Sequence, residues 1–303
     1  MKTVYLSIVA SLLGVLTVVS QSDLNQFLKP SDSLNPKRRN AVVISEIGLG
    51  TATLIGLDQL WYADFPRSSF RTVNDSDEWL QMDKLGHVFS AYHLNRVGAE
   101  VLNWSGVRKK DQLLYGTALS LGFLTTVEIF DGFSKEWGFS WSDMAANFAG
   151  SGLYVGQELL WEEQRVLLKY SFSRTRFAKQ NPDKLGASFL EEMIKDYNGQ
   201  TIWLSANLRS FMKKSKIPKW LNVAVGYGAE GMLTGRASAD TVLFPDQNRY
   251  RQFYLSLDLD LTKIETNSHV LKTLFSLINV LKIPAPTLGF STENKLTFHL
   301  LFY

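Results

Sequence analysis

Residues 138–150 read GFSWSDMAANFAG, an apolar segment of mostly small residues that carries two polar side chains one helical turn apart. Ser142 and Asp143 suit the first positions of a helix, where side-chain oxygens bind the free backbone N–H groups. Asp143 and Asn147 then share one face, because residues four apart are neighbours on a helix surface. The segment predicts a helix over residues 141–163 whose polar pair is satisfied by a metal, a substrate or neighbouring helices.

Three earlier segments are also predicted to be helices, namely residues 41–62, about 80–103 and about 109–131. They contain many Gly, Ala, Ser and Thr residues, as in GTALSLG at residues 116–122. Small residues let helices approach closely, both in membrane bundles and in tightly packed soluble ones. The charges within each segment argue against a simple membrane span. We therefore predict a helical bundle of about four helices over residues 41–165, which is either a membrane bundle or a tightly packed soluble one.

The chain after residue 165 changes to a two-residue period. Four segments are predicted to be strands, namely residues 201–208, 220–228, 251–262 and 295–303, with helices at 187–197 and 270–283. A last strand that ends in an aromatic residue is typical of outer-membrane barrels, but bacterial barrels use at least about eight strands. We therefore predict an α+β protein, with an antiparallel β-rich region over residues 166–303 that buries one face.

The bulk composition excludes several classes of function. Of the 303 residues, 45% are apolar and 20% are charged, which is typical of a globular protein, and the net charge is only +3. So small a charge gives no field for nucleic acid, and we predict no nucleic-acid partner. The sequence contains no cysteine, which excludes disulfides, thiol catalysis, cysteine-based zinc sites and an acylated cysteine.

The N-terminal segment predicts export. Residues 1–20 contain one early lysine and an apolar run that ends in small residues, as in a secretory signal peptide. An uncleaved anchor is the alternative, although the run is shorter than the ~20 residues that a span prefers. Residues 21–40 are polar, contain two prolines and predict a linker. These features indicate the periplasm or outer membrane of a Gram-negative bacterium.

Three of the predicted helices each carry a polar pair at one-turn spacing. The pairs are Asp83 with His87, Glu128 with Asp131, and Asp143 with Asn147. If the three faces turn inward, these six residues form one cluster inside the bundle, as metal-binding bundles do. They are our candidate catalytic residues.

A divalent metal ion is the cofactor that such a cluster would take. Several carboxylates stay ionised together in an apolar interior only if a cation or matching donors neutralise them. We predict His87, Glu128, Asp131 and Asp143 as metal ligands, and a metal held there could activate water. Without a metal, His87 beside a carboxylate could act as a general base, with Lys84 or Arg96 supplying positive charge. The alternative is a structural network that fixes helix register.

The motifs MDKLGHVFSAY, VEIFDGF and GFSWSDMAANFAG resemble the helical core of the YfiM-like family of predicted periplasmic lipoproteins of unknown function. Later segments such as KDYNGQTIWLSANL and IPAPTLGF resemble its long form in Bacteroidetes. The same motif order is similar in part to VanZ-like membrane proteins, although Asp131 stands where those typically have Gln. The resemblance implies functional roles for eight residues, namely Asp83, Lys84, His87, Glu128, Asp131, Ser140, Asp143 and Asn147, but no reaction.

Two functions of different class remain open. The first is a structural or binding role at the envelope, with a membrane or lipid as partner and the cluster fixing the bundle. The alternative is a metal-assisted hydrolase that acts on a lipid or cell-wall substrate. The hydrolase requires the cluster to lie beside a cavity, whereas a structural network is sealed among helices.

Overall fold

The computed structural model describes residues 21–62 and 65–302. Its long helices lie in the first half of the chain and are followed by an antiparallel six-stranded sheet, so the predicted α+β class is confirmed. The predicted signal peptide, residues 1–20, lies outside the described residues.

Residues 21–161, where the structure describes them, contain five helices: α1 (Gln21–Leu28), α2 (Pro36–Leu57), α3 (Met82–Trp104), α4 (Lys109–Gly132) and α5 (Trp141–Trp161). A π-helical turn (Asp58–Tyr62) extends α2, and a 3-10 turn (Glu78–Gln81) leads into α3. The short parallel strands β1 (Thr72–Val73) and β2 (Phe139–Ser140) pair beside the start of α5. Ser140 caps α5, since its Oγ accepts from the Asp143 N–H at 3.1 Å.

The segment predicted as a linker, residues 21–40, differs from that prediction. It contains α1 and the first residues of α2. The physical reason is that Pro36 occupies the first turn of α2, where a proline is tolerated, and Asn35 caps that helix by accepting from the Arg38 N–H at 3.1 Å. This proline starts a helix, whereas the prediction took it as part of a linker.

Helices α3, α4 and α5 pack closely through glycines. A Cβ built on Gly98 of α3 would lie 3.1 Å from Gly116 Cα of α4. A Cβ on Gly150 of α5 would lie 2.1 Å from Val88 O of α3. The small residues noted in the sequence therefore set the spacing of these three helices.

Replacing Gly150 with alanine is expected to lower the free energy of unfolding by about 1–3 kcal/mol, because the new methyl group overlaps the backbone of α3. The matched control is Gly152, two residues along the same helix, whose added Cβ would meet nothing within 4 Å. There alanine is expected to stabilise by roughly 0.5–1 kcal/mol, because glycine is a poor helix former. Chemical denaturation of both variants measures the difference, and equal effects would contradict close packing at Gly150.

The second half of the chain is built on one sheet. Its strands, in both spatial and chain order, are β3 (Val166–Phe172), β4 (Gln200–Asn207), β5 (Leu221–Glu230), β6 (Tyr250–Leu259), β7 (Ala285–Ser291) and β8 (Leu296–Phe302). Each is antiparallel to its neighbour. The connections contain the short helices α6 (Pro182–Leu185), α7 (Phe189–Lys195), α8 (Leu208–Phe211), α9 (Ala237–Leu243) and α10 (His269–Ile278). Strands β3 and β7 add to the four that were predicted.

The two faces of the sheet differ in an unexpected way. One face is apolar, and Leu168, Ile202 and Ala229 on it pack against Met82 and Tyr92 of α3 to form the main core. The other face is polar yet buried. Strand β6 shows the contrast, because Ser256 and Asp258 are buried whereas Leu255 and Leu257 on its apolar side are exposed. The alternation predicted for β6 is present, and on this strand the buried side is the polar one.

Candidate functional site

The three polar pairs meet at one end of the helical core. His87 on α3 faces Glu128 on α4 and Asp143 on α5, with its Nε2 atom 3.6 Å from Glu128 Oε1 and 3.8 Å from Asp143 Oδ1. Its other ring nitrogen, Nδ1, lies 3.0 Å from Asn147 Oδ1. The structure therefore brings together one member of the first pair, one of the second and both of the third.

The contact with Asn147 selects the tautomer of the neutral His87 ring. An amide oxygen only accepts, so the ring donates through Nδ1–H. In the neutral ring this leaves the lone pair on Nε2, which points toward the two carboxylates. An outer partner that orients the ring in this way is the usual arrangement for a histidine that binds a metal.

Lys84 binds the other side of the cluster. Its Nζ atom lies 2.8 Å from Asp75 Oδ2, 2.9 Å from Asp83 Oδ2 and 2.8 Å from Asp143 Oδ1. These four side chains are all largely buried. Burial alone would lower the pKa of Lys84, but Asp83 and Asp143 raise it above its ordinary value, so the amine stays charged.

Asp75 is a cluster residue that the sequence analysis did not identify. It lies between β1 and α3, and its Oδ1 accepts from Ser140 Oγ at 2.6 Å and from Ser142 Oγ at 2.8 Å. Burial works to raise its pKa, but hydrogen bonds from Lys84, Ser140 and Ser142 together lower the pKa to about 2. Asp75 therefore carries a full negative charge. Its only sequence signal was its position in a loop rich in capping residues.

Asp83 is held in a different electrostatic state. Burial raises the pKa of its carboxyl group to about 7, despite the adjacent Lys84. Its Oδ1 atom is buried without a hydrogen-bond partner among the described residues. Asp83 turns toward Lys84 rather than His87. The two members of the i, i+4 pair on α3 therefore contact different partners.

Asp131 lies at the edge of the cluster. Its Oδ1 accepts from the Tyr62 hydroxyl at 2.7 Å. Among the described residues, two groups of side chains are close enough to share a metal ion, and neither includes Asp131: His87, Glu128 and Asp143, and Asp75, Asp83 and Asp143. Tyr62 is a second neighbour that the sequence analysis missed, since it ends the apolar segment before the cluster. Arg96, predicted as an alternative source of positive charge, instead donates to Ser276 O within α10.

A cavity of about 520 Å³ adjoins the cluster, between the helices and the sheet. Its polar wall includes Asp75, Asp83, His87, Asp131 and Asp143. Its apolar wall includes Trp79, Phe89, Tyr170, Tyr197 and Ile202, and Arg71 and Arg236 also line it. The cluster is thus open to a cavity large enough for part of a small ligand.

Glu128 has no lysine or arginine partner in the part of the chain that the structure describes. Glu128 is 1% exposed. Its Oε2 accepts from the Ser140 N–H at 3.2 Å, but its Oε1 has no hydrogen-bond partner among the described residues. One ligand atom from each of His87, Glu128 and Asp143 lies within 4.8 Å of the other two. Such a set of one imidazole and two carboxylates can hold a divalent metal ion.

One comparison identifies a related family. A family model described as Predicted periplasmic lipoprotein (DUF2279) matches residues 73–157, and this segment contains every cluster residue from Asp75 to Asn147. No curated protein and no solved structure matches the chain. The match confirms the resemblance at this level and supports the predicted export to the periplasm or outer membrane. The long Bacteroidetes form and the VanZ-like similarity remain predictions.

Proposed function

We propose that this envelope protein binds a divalent metal ion through His87, Glu128 and Asp143 and hydrolyses an ester in the adjoining cavity. The observation that carries the proposal is Glu128 Oε1, a buried acceptor without a hydrogen-bond partner among the described residues, facing an imidazole nitrogen. A network whose role is only structural satisfies its buried members, because an unpaired buried polar atom costs about 1–3 kcal/mol.

The distances support a metal over a direct hydrogen bond. Separations of 3.6 and 3.8 Å from His87 Nε2 are too long for hydrogen bonds. They are close to the spacing of about 3.4 Å between neighbouring ligands that bind a tetrahedral ion at about 2.1 Å. The two distances from His87 Nε2 therefore need to shorten by only a few tenths of an ångström.

The cavity supports hydrolysis of a substrate with an apolar chain. Its aromatic wall suits such a chain, whereas Arg71 and Arg236 on the wall are already bound to backbone carbonyls and to Glu78, respectively. A metal held by His87, Glu128 and Asp143 would supply a water of lowered pKa. The oxygen of that water would bond to the carbonyl carbon or phosphorus of the ester, and the bond from that atom to the leaving oxygen would break. A proton from the water would pass to the departing alkoxide, so the products would be an acid and an alcohol.

Metal binding is the first test. We expect the full chain, freed of metal by a chelator, to bind one Zn²⁺ or Mn²⁺ ion in isothermal titration calorimetry. The isosteric variant Glu128→Gln is expected to bind at least about 100-fold more weakly, since even outer partners of metal ligands contribute about 10- to 100-fold. Asp111→Asn is the matched control on the same helix, because Asp111 pairs with Arg108 at the far end of α4. Equal affinity in both variants, or no binding by the native chain, would contradict the proposal.

Hydrolysis is tested separately with a chromogenic carboxylic ester and a chromogenic phosphodiester. Activity that requires the metal and is lost in Glu128→Gln, but not in Asp111→Asn, supports the proposal. Metal binding without hydrolysis of either class of ester would support the metal site but contradict the proposed enzymatic activity.

The second candidate is a structural or lipid-binding role in which the cluster fixes the helices. The contacts of Lys84 with three carboxylates favour it, because they join α3, α5 and the loop that carries Asp75. The variants His87→Ala and Asp143→Ala distinguish the two. Loss of folding in both, with no metal bound to the native chain, supports the structural role.

A further inference from the structure

The outer surface of the sheet carries a continuous apolar row. Leu204, Val225, Leu255, Leu288 and Phe298 are direct cross-strand partners from β4 to β8. Each is between 47% and 65% exposed. A second row, formed by Phe253, Phe290 and Leu296, lies beside it and is also exposed. We call these eight residues the apolar sheet face.

The opposite face of the same strands is buried and largely polar, apart from a cluster of Trp203, Ala224 and Tyr254. Lys169 and Asp258 form an ion pair of 2.9 Å there, and both side chains are 0% exposed. Ser205 and Asn222 are buried beside them. An antiparallel sheet in water normally buries its apolar face and exposes its polar one. The reverse arrangement is the one that strands in contact with lipid adopt.

The apolar sheet face continues a surface that the protein already buries. Ile202 and Tyr227 pair with each other on the same side of β4 and β5, and they pack against the helical core. Two residues further along these strands, Leu204 and Val225 are exposed. The helices therefore cover only part of one apolar surface, and the remainder needs another covering.

Helix α2 also exposes apolar side chains. Val42 is the one buried residue of this helix, while Ile44, Ile47 and Leu49 are exposed. Its 22 residues span about 33 Å, close to the ~30 Å thickness of the hydrocarbon layer of a bilayer. Among the described residues α2 and α4 are the two helices long and apolar enough to cross a membrane.

Basic residues gather where α2 and α4 begin. The Asn35 N–H donates to Ser105 O at 2.9 Å, which places the start of α2 beside the end of α3 and close to the start of α4. Six basic residues flank this junction: Lys37, Arg38, Arg39, Arg108, Lys109 and Lys110. Arg38 also lies 4.5 Å over the ring of Trp104. Tryptophan and basic residues beside an apolar segment match the interface of a membrane with anionic phospholipids.

We propose that the apolar sheet face and the outer side of α2 lie against the acyl chains of a phospholipid bilayer. A bilayer covers several separate apolar surfaces at once, whereas one protein partner covers a single patch. The basic residues at the start of α2 and α4 then meet the anionic headgroups. This inference stands on surfaces away from the metal site and does not depend on the proposed hydrolysis.

The natural absence of cysteine makes the test direct. Single variants Leu255→Cys, Leu288→Cys and Ile47→Cys are labelled with an environment-sensitive fluorophore, and the full chain is reconstituted into vesicles of phosphatidylcholine with phosphatidylglycerol. Lys214→Cys is the control at an exposed polar position. We expect brominated acyl chains to quench the three apolar-site labels several-fold more than the control label, and aqueous iodide to quench only the control.

The other outcomes contradict the proposal. If iodide quenches the labels at Leu255 and Leu288 in vesicles, the apolar sheet face lies in water. If neither quencher reaches these labels and oxidation joins two chains through them, a second copy covers the face instead. Failure of the native chain to float with vesicles of either phosphatidylcholine alone or the anionic mixture also rejects it.

Discussion

Replacing Asp258 with alanine is expected to lower the free energy of unfolding by about 3–5 kcal/mol. Asp258 accepts from Ser205 Oγ at 2.6 Å, and its Oδ2 lies 2.9 Å from Lys169 Nζ. A second amine, on Lys282, lies 3.8 Å from its other oxygen. The substitution leaves two buried lysines without their counter-charge, and chemical denaturation measures the loss.

An exposed ion pair supplies the control. Lys219 and Glu265 are 2.6 Å apart, but their side chains are 62% and 80% exposed. Glu265→Ala is therefore expected to change the free energy of unfolding by less than about 1 kcal/mol. A similar small loss in Asp258→Ala would show that the polar face of the sheet is open to water, contrary to the structure.

The second large effect is expected at Lys84. Replacing it with methionine keeps a side chain of similar length but removes the cation that contacts Asp75, Asp83 and Asp143. We expect a loss of about 3–5 kcal/mol, because removing one partner leaves buried charges unpaired. The measurement is chemical denaturation with a chelator present, so that no metal ion replaces the lysine.

Lys219→Met is the matched control for this substitution, since it removes an equally short but exposed ion pair. It is expected to cost less than about 1 kcal/mol. If Lys84→Met costs as little, Lys84 does not stabilise the folded protein through its contacts with Asp75, Asp83 and Asp143. That outcome would contradict its role as the counter-charge of these three carboxylates.

Much of the helical half was predictable from local patterns. Helices α3 and α4 were predicted within about two residues of their observed bounds, because apolar periodicity and capping residues are local signals. Strand β7 was missed because Pro284 and Pro286 argued against regular structure. Strand β3 was missed because it follows α5 after a short connection, and VLLKYSF is too short and apolar to distinguish a strand from the end of a helix.

The polar faces of the three helices could be predicted from the sequence, but the arrangement of their side chains in the site could not. One-turn spacing places Asp143 and Asn147 on one side of α5 whatever surrounds them. The direction in which Asp83 and Asp131 turn depends on Lys84 and Tyr62, which approach from outside each pair. The sequence also does not reveal that the polar sheet face is buried, because alternation defines two faces without showing which one is exposed to water.

The strand order of the sheet has a consequence for how the protein forms. Every strand from β3 to β8 pairs with its neighbour in the chain, so each hairpin can close as soon as its second strand is available. The connections are not all short, since residues 173–199 join β3 to β4 and residues 260–284 join β6 to β7. Pairing consecutive strands nevertheless closes shorter loops than pairing strands that are distant in the chain, and so costs less entropy. An exported chain that emerges from a translocation pore with its N-terminus first can therefore assemble the helices, and then add the sheet one strand at a time in the order of arrival.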